Sequence, residues 1–217
     1  MDVINKQTMS MQIYHILRND ILTQKIKCGS KLTLQSLKER FEVSHTPIRE
    51  ALTRLVEDNL VTYYSNVGVS VVSLNANDAR EIFELNGDLD CIALKYSYYG
   101  SMKDEFLKEL GEAVTEGRLC IAEKRLNRWQ ELSDQFHLIL YKYANNSRLE
   151  YAARKLRAQT TLLYNLYYLE DQNAEVTQEF HNRIYQAISE DDIPLASQLL
   201  KEHLQNDIEL AVKALGQ

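Results

Sequence analysis

Residues 29–52 read Gly29-Ser-Lys-Leu-Thr-Leu-Gln-Ser-Leu-Lys-Glu-Arg-Phe-Glu-Val-Ser-His-Thr-Pro-Ile-Arg-Glu-Ala-Leu52, and this stretch decides the fold. Thr33 is placed to cap a helix over Leu34–Phe41, because its hydroxyl can accept from the orphan amides of the first turn. Glu42 and Val43 leave room only for a tight turn. Ser44 then stands as the cap of a helix ending near Asn59, with Pro47 in its first turn, where a missing N–H is no loss. Upstream, Met9 to Thr23 sets Ile13, Ile16, Leu17, Ile21 and Leu22 at helical spacing. Downstream, Leu60-Val-Thr-Tyr-Tyr-Ser-Asn-Val-Gly-Val-Ser-Val-Val72 holds two β-rich runs around residues 65–68, which predicts a hairpin. Helix, helix, tight turn, helix and hairpin make a winged helix-turn-helix over residues 1–74.

After Leu74 the pattern turns helical to the last residue. Helices are expected over roughly 76–99, 103–115, 118–145, 148–169, 175–190 and 193–214, with Asn75 as a cap and breaks at Gly100, near Gly117, at Asn145–Asn146 and at Asp191–Pro194. The expected fold class is mainly α: the winged head, then an all-α helical bundle over residues 75–217. With 45% hydrophobic and 26% charged residues, the 217-residue chain has a folded composition rather than a disordered one. No apolar run approaches the roughly 20 residues that span a bilayer, and Met1 to Met11 lacks a signal-peptide core. Cys28, Cys91 and Cys120 are odd in number and show no CxxC spacing, so they read as reduced thiols. A cytoplasmic protein with no membrane partner is the expectation. Charge divides unevenly: residues 1–74 carry nine Lys/Arg against seven acids, while the remainder has a net charge of −8. A basic head on an acidic body suits a polyanionic partner for the head.

In a helix-turn-helix the second helix of the motif enters the major groove and its first residues reach base edges. Those residues are Ser44, His45, Thr46 and Arg49. Arg49 can grip a phosphate or pair bidentately with guanine, and Thr46 with the amides at the helix start suits a phosphate. Lys31, Lys38 and Arg40 would flank the groove, and the wing tip, Asn66 to Gly68, could approach the backbone. The residues alone leave open that Arg49 and Arg54 are solvated charges on a packing helix. Residues 29–52 closely resemble the winged helix of the GntR family of bacterial transcription regulators. Val43-Ser-His-Thr-Pro-Ile-Arg-Glu-Ala-Leu52 is the most specific part, continued by Asn59-Leu-Val61 and Asn66-x-Gly68. The family usually has Arg at the place of His45 and often at Val67, so the resemblance implies operator binding with a shifted base preference.

Three of the five histidines fall in the helical body: His137, His181 and His203. Ile184 and Ile188 share a face with His181, and Ala196 and Leu199 share one with His203. Three inward imidazoles from three helices can converge on a metal, as bundle sites do, or stand as separately satisfied core residues. Residues 75–217 resemble the FadR C-terminal domain, the all-α effector domain of one GntR subfamily, through Phe136-His137, Asn146 and Leu149, His181-x-x-Ile-x-x-Ala-Ile188, Asp192, Ala196 and His203-Leu204. Many members bind a divalent metal, commonly zinc or nickel, through an Asp or Asn and three His. The resemblance assigns the histidine positions to His137, His181 and His203. The family acid sits four residues before the first histidine, where this chain has Ser133; Asp134, one residue on, could reach the site only with some rotation of the helix, and water or an effector carboxylate is the other candidate for the fourth position. The first helix of such domains often carries an Arg that holds a carboxylate, and Asn86 occupies that place. An effector, expected to be an organic acid, would then lean on Asn86, Arg154, Arg157 and Tyr164, the last on one helix with Tyr167 and Tyr168.

Together these features predict a transcription regulator, in the family usually a repressor, that binds an inverted-repeat operator as a homodimer and answers to a small molecule. Two rivals remain from the residues: a ligand-independent DNA binder with a filled cavity, and a metal-dependent hydrolase with Asp134 as base.

Overall fold

The computed structural model describes residues 8–64, 68–167 and 171–216. Its described elements run α1 (Met9–Leu22), β1 (Lys31–Leu32), α2 (Leu34–Phe41), α3 (His45–Glu57), β2 (Val61–Tyr64), β3 (Gly68–Val71), α4 (Ala76–Tyr98), α5 (Lys103–Ala122), α6 (Leu126–Ala144), α7 (Ser147–Tyr167), α8 (Asp171–Ser189) and α9 (Ile193–Leu215). The chain forms two compact units. One comprises the chain up to Asn75 together with Arg154–Asn165; the other comprises Ala76–Ala153 and the chain from Leu166 on.

The first unit is a winged helix-turn-helix. Ile13, Leu17 and Ile21 of α1, Leu37 of α2, and Ile48, Leu52 and Leu55 of α3 bury one common core. Thr33 caps α2 as expected, its hydroxyl accepting from the Ser36 amide at 3.1 Å. Glu42 makes the tight turn by taking a left-handed conformation (φ 54°). Ser44 precedes α3 in extended backbone, but its side chain makes no capping bond, unlike the cap that its position suggests. The wing is a three-stranded antiparallel sheet in the order β1-β3-β2, with Leu32 opposite Val69 and Val61 opposite Val71. Ala158 and Leu162 of α7 complete this core, a contribution that local sequence reading did not anticipate.

In the second unit α4 packs on α6 and α9, and α8 packs on the same two helices, so the four enclose a common interior; α5 lies against α6 and α8. Asp192 caps α9, accepting from the Leu195 amide at 2.9 Å, and Asn145 ends α6 in a left-handed conformation. The expected break near Gly117 does not occur. Helix α5 runs on to Ala122, and the chain turns at Lys124, whose φ is 57°. The glycine serves helix packing instead: a Cβ at 117 would stand 2.4 Å from Gln178 Oε1 on α8. Gln178 is buried and held at both ends of its amide, accepting from Trp129 Nε1 at 2.9 Å and donating to the Val114 carbonyl at 3.2 Å.

Because Gln178 cannot swing away without breaking those bonds, Gly117→Ala should destabilise the protein by about 1–3 kcal/mol, despite a gain in helix propensity of about 1 kcal/mol. Urea unfolding measures this; an unchanged or higher midpoint would show that the α5–α8 approach tolerates a methyl group.

Candidate functional site

The N-terminal turn of α3 is open to solvent: Ser44, His45, Thr46 and Arg49 are all exposed, while Ile48, Ala51 and Leu52 on the opposite face are buried. Lys31 and Lys38 are also exposed. Arg40 is differently employed. Its guanidinium pairs with Asp20 of α1, a nearly buried carboxylate that Lys25 also approaches at 3.4 Å. Burial alone would raise the Asp20 pKa, but the Arg40 hydrogen bond and charge, with Lys25, outweigh it and hold the carboxyl below its ordinary value. Arg40 thus ties α2 to α1. Asn66 lies outside the described residues, and Gly68 opens β3 opposite Tyr64. The wing also exposes Tyr63 and Tyr64, which sequence reading did not single out.

The second unit gathers the three histidines. His137 of α6, His181 of α8 and His203 of α9 are each at least 96% buried, and one ring nitrogen from each lies within 4.8 Å of the others. The Nε2 atoms of His137 and His203 are 3.3 Å apart. Phe136 stacks on His181 with ring centroids 4.0 Å apart. Burial drives the pKa of His181 well below 6.5, reinforced by His203 and His137; His203 is lowered in the same way, by burial and then by His137. His181 and His203 are therefore neutral, with lone pairs to offer.

Carboxylates stand behind two of the rings. Asp90 of α4 accepts at 2.7 Å from Nδ1 of His137 in its Nδ1–H tautomer, and the Tyr141 hydroxyl donates to the other Asp90 oxygen. Asp207, one turn beyond His203, lies 3.6 Å from its Nδ1, without a hydrogen bond between them. A carboxylate on one ring nitrogen orients the imidazole and raises the basicity of the other, the arrangement common to histidine metal ligands. Among the described residues His181 Nε2 and His203 Nδ1 have no hydrogen-bond partner despite full burial, and a metal ion would satisfy the His181 nitrogen. Three buried imidazoles, one of them hydrogen-bonded to Asp90, suit zinc or nickel.

Other expected residues fall as follows. Ser133 is buried four residues before His137, whereas half-buried Asp134 does not join the converging group. Asn86 is buried one turn before Asp90, and Thr177 one turn before His181. Arg154, Arg157 and Tyr164 belong to the stretch that packs with the winged head. Tyr168 and the side chain of Tyr167 lie outside the described residues. Asp90 went unread, although a signal existed: with Asn86 it interrupts the otherwise apolar stripe Ala79, Phe83, Leu94 on the buried side of α4.

Residues 9–71 match the model of the bacterial regulatory proteins of the gntR family, and residues 81–206 match that of the FCD domain. The chain is 26% identical to the HTH-type transcriptional regulator YdhC of Bacillus subtilis (strain 168), over 92% of this chain and 89% of that one. It is 25% identical to the HTH-type transcriptional repressor RspR of Escherichia coli (strain K12), over 97% and 92%. Among solved structures, E. coli McbR/YncC shares the fold with a TM-score of 0.77 at 20% identity, over 96% of this chain and 99% of that one.

The buried neutral imidazoles carry a pH signature. Unfolded, they titrate near 6.5; folded, His181 and His203 titrate well below that. Below about pH 6.5 the unfolded chain binds protons that the folded one refuses, so this stability is full above that pH and is lost as pH falls through the folded values. In chelator-treated protein the Tm should drop between about pH 7.5 and 5, and drop less in His181→Leu. Thermal circular dichroism reads both, and equal slopes in the two proteins would contradict the charge state assigned to the centre.

Proposed function

Since this chain belongs to the GntR family of bacterial regulatory proteins and carries an FCD domain, we propose that it is an operator-binding repressor controlled by a metal-dependent effector site. A DNA-binding transcriptional regulator, not an enzyme, is what the family establishes, and the hydrolase reading falls with it. Repression is the finer step, supported by the relative named as a repressor. The observation that carries the effector reading is the convergence of three buried imidazoles backed by Asp90 and Asp207.

His137, His181 and His203 would hold the ion, and a bound divalent metal would supply an open position that accepts a carboxylate. Asp90 and Tyr141 fix the tautomer and direction of the His137 ring. Asn86, Ser133 and Thr177 each precede a member of the centre by one turn and share its buried face. They offer an amide and two hydroxyls to a small organic acid, and these residues, rather than Arg154, Arg157 or Tyr164, are the proposed contacts. On the head, Ser44, His45, Thr46 and Arg49 would meet bases and the nearest phosphates, with Lys31, Lys38 and the wing from Asn66 to Gly68 on the flanking backbone. An effector regulates only by binding the DNA-competent and incompetent arrangements unequally.

A homodimer is proposed because two heads related by a two-fold axis read the two halves of an inverted repeat. Helix α4 exposes Leu85, Ile92 and Tyr96, and Tyr99 just past its end is exposed as well. Spacings of seven, four and three residues set them on one stripe, for which a second copy of the chain is the proposed occupant.

Protein purified without chelators should contain about one zinc or nickel ion per chain by elemental analysis. His203→Ala should lose it, and Asp90→Asn should bind it about 10–100-fold more weakly. Arg49→Ala should keep the metal while weakening operator binding by about 1–3 kcal/mol. A wild-type protein that refuses added zinc would overturn the metal reading and favour a ligand-independent DNA binder. Separately, Ile92→Glu should shift sedimentation from dimer to monomer; an intact dimer would place the interface elsewhere.

A further inference from the structure

Helix α7 is continuous from Ser147 to Tyr167, yet its parts serve different cores. Leu149 and Ala153 are buried with α6 and its neighbours, while Ala158 and Leu162 are buried in the core of the winged head. Around those two, α7 presents a row of polar side chains to the head. Lys155 Nζ donates to the Glu57 carbonyl at 2.9 Å, Gln159 Nε2 to the Asn59 carbonyl at 3.1 Å, and Asn165 Nδ2 to the Leu22 carbonyl at 2.7 Å. In return Asn59 Nδ2 donates to the Lys155 carbonyl at 3.2 Å. Residues 155, 158, 159, 162 and 165 recur at three- and four-residue intervals, so all five lie on one helical stripe.

Two of the carbonyls these side chains reach belong to the last residues of helices. Leu22 is the last residue of α1, and Glu57 the last of α3. The final carbonyls of a helix have no partner within it. In α3 the Arg54, Leu55 and Val56 carbonyls are taken by the amides of Asp58, Leu60 and Asn59. The Glu57 carbonyl is met by the Lys155 ammonium, a cation at the negative end of the helix. The same end is tied to α1, where the Tyr14 hydroxyl donates to Asp58 and Arg18 lies 3.8 Å from it. One stripe of α7 thus grips the C-terminal ends of both α1 and the DNA-reading helix α3.

We infer that Lys155 and Gln159 are positioning residues for DNA recognition: from α7 they set the orientation in which α3 presents His45, Thr46 and Arg49 to base edges. This rests on α3 being the reading helix. Base readout depends on placement of that helix, whereas non-specific binding is carried by phosphate contacts that tolerate small rotations. Displacing α7 would then change operator affinity without touching a single DNA-contacting residue.

The test uses the full chain, a duplex recovered from random DNA with the wild-type protein, and a scrambled duplex of equal length. Lys155→Ala/Gln159→Ala should lose about tenfold in affinity for the selected duplex. It should keep its affinity and salt dependence on the scrambled one, with Tm within a few degrees and metal content unchanged. Lys155→Arg, which retains the cation, should restore most of the discrimination when Gln159 is intact. A double variant as selective as the wild type, or one that loses both duplexes equally, overturns the inference. A wild-type protein that recovers no preferred duplex sinks the DNA-reading premise, and the inference with it.

Discussion

The second unit is organised around three imidazoles buried where four helices meet. Buried polar groups must find partners or destabilise the fold, and this interior contains many: Asn86, Asp90, Ser133, His137, Thr177, His181, His203 and Asp207. Each of α4, α6, α8 and α9 contributes a pair four residues apart, so that every helix turns one polar ledge inward. Asp90 with Tyr141 holds His137, and Asp207 stands behind His203. His181 and His203 are each left with an orphan nitrogen. An apolar core of equal volume would fold at least as readily, so stability alone does not account for the polar interior.

The head follows the opposite logic. Its core draws apolar residues from α1, α2, α3 and the wing, and its buried charge, Asp20, is met by Arg40 and Lys25. Arg40 illustrates the difference between a charge for DNA and a charge for structure: paired with buried Asp20, it fastens α2 to α1. Arg49, on the exposed face of α3, is left to the solvent side where a nucleic acid would lie. Helix α7 contributes to both interiors, with apolar residues at 149 and 153 for one and at 158 and 162 for the other.

Much of the architecture was legible because it is local. The cap at Thr33, the short link at Glu42–Val43 and the alternation from Leu60 onward are short-range signals, and the structure places α2 at the expected Leu34–Phe41. The break near Gly117 misled for a reason that local reading cannot detect. A glycine that ends a helix and a glycine that admits a neighbouring helix look alike in sequence, and only the position of Gln178 separates them. Ser44 gives a similar lesson, since a good capping residue in the right place still makes no capping bond.

By itself the sequence determined the winged head, the helical body, the exposed residues at the start of α3 and the three inward histidines, because periodicity assigns each side chain to a face of its own helix. It could not say which faces meet. That Asp90 rather than Asp134 stands against His137, that Arg40 is committed to Asp20, and that residues 154–165 join the head were decided by tertiary structure alone. Those contacts join residues 20 to 143 positions apart, and such pairings are fixed by how whole helices pack.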